Sequence, residues 1–170
     1  MPKSKSSKSR TTTTKSDVSN VKAVTLARLN KEMLQITIEP PKNCTASFIN
    51  DNLMEWRATI VGPDGTPYEG GVFILKLSFS DRHPFVPPKV TFMTRIFHCN
   101  ISAKGEICLD ILKDKWNPFL TVSKILLSIG VLLECPNPDD PLEPEIAHLW
   151  RTNRELHDAQ AVAWTEQHAK

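Results

Sequence analysis

The chain has 170 residues, of which 40% are hydrophobic, and its formal net charge is +2. That size suits one compact domain with a buried core and a short tail. No apolar run is long enough to span a membrane, and the charge predicts no basic surface that would make nucleic acid a partner.

Residues 1–20 form a low-complexity segment rich in Ser, Thr and Lys. It holds five basic side chains and one acidic side chain, which leaves about −2 for the rest of the chain. Because it has almost no apolar residues, it cannot offset the entropy lost on ordering, and we expect it to be disordered. A nuclear-import signal, a phosphorylated patch, a self-modification target and a solvated tail are open as its role. The folded domain is predicted to span residues 21–170.

The next stretches predict one helix followed by four strands. Apolar residues recur at helical spacing over 21–38, and Pro40 and Pro41 end this helix. Alternating or β-rich patterns then predict strands over 44–49, 53–61, 72–79 and 89–93. Because no helix separates them, we expect a four-stranded antiparallel meander and an α+β fold with the helices grouped elsewhere.

The second half of the chain predicts a rigid loop and further helices. Pro84, Pro87 and Pro88 mark a loop with Phe85 at its tip. Six apolar residues repeat at helical spacing over 122–133 and predict a central packing helix, with Thr121 as its N-cap. Residues 145–167 predict one or two closing helices, whose large side chains are expected to pack inward: Trp150 and Trp164.

The stretch 97–118 is the candidate functional region. Gly105 breaks the chain just before Cys108, and charged residues follow at 113–115. This composition is typical of a loop held against a core, where a thiol faces solvent. His98 and Asn100 lie upstream and could fold back toward the sulfur. No cationic residue adjoins Cys108 in the sequence, so we expect no strongly lowered thiol pKa.

Four interpretations of Cys108 are open from residue types alone. A cysteine protease needs an imidazole base, for which His98 is a candidate, but no local protease signature is present. A zinc site needs closely spaced ligands, and the four cysteines contain no CxxC pair. A thiol that carries an acyl group to an amine needs a nucleophile and an amide donor for the oxyanion. The last interpretation is a packed, inert thiol.

The pattern of the four cysteines also indicates the cellular compartment of the protein. Cys44, Cys99, Cys108 and Cys135 have no disulfide pattern, and the N-terminus shows neither a secretory signal nor a lipidation motif. We therefore expect free thiols in a reducing compartment. The expected location is cytoplasmic and nuclear.

The candidate region resembles the active-site region of ubiquitin-conjugating enzymes. These enzymes carry a His-x-Asn tripeptide, a Gly-x-Ile-Cys-Leu-Asp segment and a Trp-x-Pro motif, which are present here at 98–100, 105–110 and 116–118. The similarity starts near residue 24 and includes PYEGGVF, PFVPPKV and NPDDPL. It is greatest to the broadly acting branch that has a Ser/Thr/Lys-rich N-terminal extension. The resemblance implies the UBC fold and an enzyme that accepts ubiquitin from the activating enzyme and passes it to substrate lysines.

The resemblance also implies roles for individual residues. Cys108 would accept the ubiquitin carboxyl as a thioester, and Asn100 would stabilise the oxyanion or organise the loop. Asp140 would orient the incoming lysine and favour its neutral form. His98 is expected to be a scaffold residue rather than a base, and Asp110 a second scaffold residue. No metal and no cofactor are implied.

The partners implied are ubiquitin, the activating enzyme, RING-type or HECT-type ligases and protein substrates, and the enzyme itself is expected to be a monomer. The residues that match ligase contacts are Arg28, Phe85, Pro118 and Phe119. Thr45 stands where relatives bind a second, non-covalent ubiquitin.

Four positions depart from what close relatives often carry. Val86 replaces a lysine and Phe119 an alanine, both in the loops that meet ligases. His83 replaces a tyrosine, and Val131 replaces a serine on the helix that packs against thioester-linked ubiquitin in relatives. Because the three catalytic residues remain, we expect these departures to affect partner choice.

Two other functions are open. The enzyme could load a different ubiquitin-like modifier, which loading assays with each modifier would reveal. It could instead be a non-catalytic ubiquitin-binding module, but family members of that kind lack the cysteine, so the presence of Cys108 disfavours this function.

Overall fold

The computed structural model describes residues 14–170. In this part of the chain, four α-helices and one 3-10 turn accompany a four-stranded antiparallel sheet, in which each strand pairs with the next along the chain. The elements are α1 (Lys15–Ile38), β1 (Cys44–Ile49), β2 (Asn52–Val61), β3 (Val72–Ser78), β4 (Lys89–Phe92), the 3-10 turn (Asp110–Leu112), α2 (Val122–Glu134), α3 (Pro144–Thr152) and α4 (Arg154–His168). The predicted α+β meander is confirmed. None of these helices combines the length and apolar character needed to cross a membrane.

Helix α1 begins at Lys15 rather than at the predicted residue 21. Its start is capped because the Asp17 carboxylate accepts hydrogen bonds from the backbone N–H and the hydroxyl of Thr14. Residues 15–20 face solvent, so they carry no apolar repeat from which the sequence could predict a helix. The prediction that residues 1–20 are disordered was therefore wrong for residues 15–20, which belong to α1, and for residues 1–13 it lies outside the described part of the chain.

The sheet turns one apolar face toward the core. Trp56 pairs with Leu77 and Ala58 pairs with Leu75 across β2 and β3, and all four side chains are buried. Because side chains alternate between the two faces of a strand, this register places the apolar set on one side of the sheet. The polar side chains point the other way.

Helix α2 covers the core as predicted. The hydroxyl oxygen of Thr121 accepts a hydrogen bond from the Lys124 N–H at 3.3 Å and so caps the helix. Burial of each large apolar side chain contributes about 1.5–3 kcal/mol. The helix places six of them in the same core cluster as the sheet: Val122, Ile125, Leu126, Ile129, Leu132 and Leu133.

The closing segment forms two helices that meet at Asn153, whose side-chain oxygen accepts a hydrogen bond from the Leu156 N–H at 3.1 Å. Trp164 packs against the core as predicted. The prediction for Trp150 was wrong: the ring is only half-buried, with the Arg154 guanidinium 4.6 Å from its centroid. This cation contact is favourable, and Trp150, unlike Trp164, is not packed against the core cluster.

Candidate active site

The loop that leads to Cys108 is held against the edge of the sheet. Thr91 of β4 forms a bridge with Glu106, and the Phe92 N–H donates to the Gly105 carbonyl at 2.8 Å. Gly105 has φ +84°, and a Cβ there would lie 2.0 Å from the Phe92 carbonyl oxygen. Only glycine fits this close approach. The glycine therefore sets the path of the chain into Cys108.

His98 is a buried residue that joins the loop to α2. Its Nε2 lies 2.9 Å from the Leu132 carbonyl oxygen, and its Nδ1 accepts a hydrogen bond of 3.0 Å from the Asn100 N–H. These contacts define a neutral ring with the proton on Nε2. Burial lowers the pKa of His98 to about 4. With both nitrogens engaged, the ring has no free position for use as a base, and its contacts are those expected of a scaffold.

Asn100 ties two loops together. Its side-chain N–H groups donate to the carbonyl oxygens of Asn137 and Asp140, at 2.8 and 3.1 Å, and its side-chain oxygen accepts from the Asn137 N–H at 2.8 Å. Its backbone oxygen accepts a hydrogen bond from the Cys108 N–H at 2.9 Å. One buried asparagine thus fixes the chain beside Cys108 and the chain that carries Asp140. As an oxyanion donor it would first have to release one of these bonds.

A second clamp fixes the loop that carries Asp140. The N–H groups of Leu142 and Glu143 both donate to the Cys99 carbonyl oxygen, at 2.8 and 3.0 Å. Asp139, in contrast, forms an ion pair with Arg151 of α3. The adjacent residues Asp139 and Asp140 therefore make different contacts, and only Asp140 turns toward the thiol.

Cys108 is half-buried and its thiol donates a hydrogen bond to the Asp140 carboxylate, with Sγ 3.3 Å from Oδ2. The Lys113 ammonium lies 3.6 Å from the same sulfur. Partial burial and then the Asp140 carboxylate hold the pKa of the Cys108 thiol above its ordinary value, while Lys113 offsets part of this effect. The thiol is accessible but is not strongly activated by its surroundings.

Sequence reasoning missed Lys113. The 3-10 turn brings it back toward the sulfur, because the Lys113 N–H donates to the Asp110 carbonyl oxygen at 2.9 Å. The Asp110 side chain accepts from the Ile111 N–H at 2.7 Å and so shapes the turn. The only signal in the sequence is a spacing of five residues between a cysteine and a lysine, which predicts no contact unless the turn is known.

The other cysteines have different environments. Cys44 and Cys99 are buried, and burial raises the pKa of each thiol to about 11. Cys135 is exposed at the end of α2. Within the described residues, Cys108 alone combines an accessible thiol with a hydrogen-bonded carboxylate.

The residues predicted to bind ligases lie on connected parts of the surface. Phe85 and Phe119 are 75% and 86% exposed, which is unusual for such large rings. Arg28, Pro118 and Phe119 line one groove between α1 and the loop before α2, and the Arg28 guanidinium donates to the Leu120 carbonyl oxygen at 3.0 Å. We call these four residues, Arg28, Phe85, Pro118 and Phe119, the aromatic surface.

A buried polar cluster supports the aromatic surface from behind. One oxygen of Glu32 accepts from the Val122 N–H at 2.8 Å, and the other lies 3.3 Å from Arg28 Nε and 3.5 Å from His83 Nε2. Burial acts to raise the pKa of Glu32, but the contacts with His83, the Val122 N–H and Arg28 together hold it below its ordinary value. Trp116 adds a link between the two loops, because its indole N–H donates to the Pro84 carbonyl oxygen at 2.9 Å.

Two further predicted contact positions are exposed. Thr45 lies on the outer face of the sheet, where its hydroxyl is hydrogen-bonded to that of Thr59 on the neighbouring strand. Val131 is 57% exposed on α2 and lines a groove with Leu127. Neither position touches the thiol site.

Comparison with known proteins agrees with this geometry. The family model described as "Ubiquitin-conjugating enzyme" matches residues 28–165. Among solved structures, the chain is similar to the E2 domain of a Toxoplasma gondii ubiquitin conjugating enzyme, with 43% sequence identity and a TM-score of 0.80. That match covers 85% of this chain and 98% of the other. The chain therefore belongs to the ubiquitin-conjugating enzyme family, whose members are transferases that act through a cysteine thioester.

Proposed function

We propose that Cys108 is the residue that carries ubiquitin as a thioester and releases it to lysine amines. The observation that supports this most directly is the hydrogen bond between the accessible Cys108 thiol and the Asp140 carboxylate. Each of these groups lies on a loop that Asn100 fixes. This pairing suits a thiol that must accept an acyl group and then meet an incoming amine.

The chemistry follows from the surroundings of the sulfur. In loading, the Cys108 sulfur attacks the carbonyl of activated ubiquitin and becomes the new thioester. Because its thiol pKa is raised, the sulfur reacts slowly on its own and depends on docking to the activating enzyme. In discharge, a lysine amine attacks the thioester carbonyl, and Asp140 is positioned to accept the proton that the amine loses.

A loading assay tests this function and its alternative. The protein is incubated with ATP and either ubiquitin and its activating enzyme or another modifier and its own activating enzyme, and the products are separated with and without reductant. We expect an adduct that reductant removes with ubiquitin, and none with the other modifiers. An adduct only with another modifier would mean that the fold is retained but the cargo is different.

As a ubiquitin-conjugating enzyme, the protein works with an activating enzyme and with ligases. We propose that RING-type or HECT-type ligases dock on the aromatic surface. Its two exposed rings support this proposal, because aromatic anchors often dominate the energy of an interface. The buried polar cluster around Glu32 would hold α1 and the loop before α2 in one arrangement for docking.

We also propose that Thr45 marks a site for a second, non-covalent ubiquitin. Its exposure on the outer face of the sheet supports this site. Thr45→Arg would place a bulky charge there and should shorten ubiquitin chains while single-ubiquitin loading is kept. Unchanged chain length in the variant would exclude the site.

The Ser/Thr/Lys-rich segment 1–20 supports two further proposals: membership of the broadly acting branch that has such an extension, and a location in both cytoplasm and nucleus. Five basic side chains against one acidic one are suited to an import signal. Imaging of the full chain beside a chain that lacks residues 1–13 tests the location. Equal nuclear signal from both would remove the import role.

A further inference from the structure

A groove lies beside the loop that leads to Cys108. Its walls are the end of β4 with the chain that follows it, the turn of residues 102–105, and the indole of Trp164 from α4. Its volume is about 310 Å³. Neither the aromatic surface nor the thiol site, with Asn100 and Asp140, contributes a residue to its walls. The groove is therefore separate from the sites described above.

The side chains that set the character of the groove are apolar or cationic. We call Met93, Arg95, Lys104 and Trp164 together the cationic groove. Met93 is 60% exposed, and the Arg95 guanidinium lies 5.6 Å from the centroid of the Trp164 ring. No carboxylate lines the groove, Glu106 on the same loop included, and in the described part of the chain neither cation forms a salt bridge. Its charge and apolar surface complement an acidic segment that also carries an apolar side chain.

A short hairpin fixes the groove relative to the thiol. The Cys108 N–H donates to the Asn100 carbonyl oxygen, and the Ser102 N–H donates to the Glu106 carbonyl oxygen, both at 2.9 Å. The hairpin therefore carries Lys104 at its turn and Cys108 at one end. Because four extended residues span at most about 14 Å, a segment bound in the groove lies close to the thiol.

We propose that the cationic groove selects substrates: it binds an acidic segment of the substrate protein and delivers a neighbouring lysine to the thioester on Cys108. This inference rests on the proposed function of Cys108 as the thioester carrier, and it names the class of substrate. An extended lysine side chain reaches roughly 6 Å and a strand advances roughly 3.3 Å per residue, so the acidic residues should lie about two to four positions from the acceptor lysine.

The bond-making step is that of any lysine acceptor. The neutral amine of the docked lysine attacks the thioester carbonyl carbon, a C–N bond forms, and the C–S bond breaks. Sulfur leaves as the thiolate, and the amine proton passes to Asp140 or to water. The cationic groove touches none of these atoms, so it should change the affinity for the substrate and leave the maximum rate of transfer unchanged.

The size of the effect follows from the exposure of the two cations. Arg95 and Lys104 face solvent, so the loss of either ion pair should raise the half-saturating concentration of an acidic peptide by at most about 5-fold. The preference should weaken with salt, because the screening length falls from about 10 Å at 0.1 M to about 3 Å at 1 M.

The experiment measures transfer from charged enzyme to synthetic peptides that each contain one lysine. The full-length protein is charged with ubiquitin, charging is stopped, and each peptide is added over a range of concentrations. The acidic peptides carry glutamates and a leucine at the predicted spacing on either side of the lysine, and matched peptides carry glutamine or arginine in place of glutamate. We expect the half-saturating concentration to be about 10-fold lower for the best acidic peptide than for its glutamine match.

Charge reversal tests the groove itself. Arg95→Glu and Lys104→Glu should each reduce the preference for the acidic peptide, and together they should make the arginine peptide the better acceptor. Arg95→Lys and Lys104→Arg keep the charge and should keep the preference. Lys104→Glu is the safer variant for folding, because this side chain is exposed at a turn. Arg57→Glu is the matched control, since Arg57 is exposed on β2 and does not line the groove.

Discharge to free lysine separates docking from chemistry and should be equal in all these proteins. The proposal is overturned if acidic and glutamine peptides are equally good acceptors or if the preference survives reversal of both cations. It is also overturned if the reversed variants lose free-lysine discharge as strongly as peptide transfer, which would place the effect on the thioester. Absence of a reductant-sensitive adduct before any peptide is added would instead contradict the proposed function of Cys108, so the two failures are distinguishable.

Discussion

The side-chain amide of Asn100 donates a hydrogen bond of 3.1 Å to the backbone carbonyl oxygen of Asp140. The asparagine is 1% exposed, so the loop that carries Asp140 depends on a buried amide for its position beside Cys108. This relationship assigns Asn100 a positioning role in addition to any contact with the oxyanion.

Asn100→Ala should load ubiquitin but discharge it to free lysine more slowly, by roughly 10²-fold. If the amide acts by positioning Asp140, the losses from Asn100→Ala and Asp140→Asn should not add, because the first change already displaces the second group. Discharge of pre-loaded enzyme measures all three variants. Fully additive losses in the double variant would contradict the positioning role and favour a direct oxyanion contact.

Asp140→Asn should slow discharge to lysine by about 10²-fold near neutral pH, because the amide cannot accept the proton of the incoming amine. The defect should shrink at high pH, where more of the amine is already neutral. Asp139→Asn is the matched control, since Asp139 pairs with Arg151 instead of facing the thiol. Equal defects in the two variants would show that the loop and not the carboxylate is responsible.

The lowered pKa of His98 predicts how the stability of the folded protein depends on pH. Its pKa is about 4 in the folded protein and about 6.5 in an unfolded chain, so between these values the unfolded state binds the proton more readily. The free energy of unfolding should therefore fall as the pH drops from about 6.5 to 4, with a contribution from His98 on the order of 3 kcal/mol. An NMR titration of the ring protons checks the premise. A ring that becomes protonated near pH 6.5 in the folded protein would contradict it.

The departures Val86 and Phe119 predict that fewer RING-type ligases stimulate this enzyme than stimulate its relatives. Phe119 is 86% exposed, so the ring must enter any pocket that relatives fill with alanine, and a missing lysine at position 86 should slow encounter with an acidic ligase rim. Val86→Lys combined with Phe119→Ala should increase stimulation across a ligase panel, while unassisted lysine discharge stays the same. Equal stimulation of both proteins would exclude this explanation.

The sequence predicts the meander, the central helix and the cap at Thr121, because each depends on local apolar periodicity or on a single capping side chain. It does not predict the start of α1, since residues 15–20 are solvent-exposed and have no apolar repeat. The half-buried position of Trp150 is missed for a related reason: its cation partner on α4 is known only from the fold.

The candidate site, like the fold, could be predicted only in part from the sequence. Cys108, Asn100 and Asp140 are found from the family resemblance, but the bonds that join them connect residues 32 to 40 positions apart. The contacts of Lys113 and of the cluster of Glu32 with His83 could not be predicted from the sequence, because a turn in one case and the packing of α1 against a distant loop in the other bring these groups together.

The central claim is that Cys108 carries the thioester, and substitution of the four cysteines tests it most directly. With ubiquitin, ATP and the activating enzyme, Cys108→Ala should form no adduct, and Cys108→Ser should form an oxyester that survives reductant. Alanine variants of Cys44, Cys99 and Cys135 should still form an adduct that reductant removes. A reductant-sensitive adduct on Cys108→Ala would contradict the assignment and move the carrier to another cysteine.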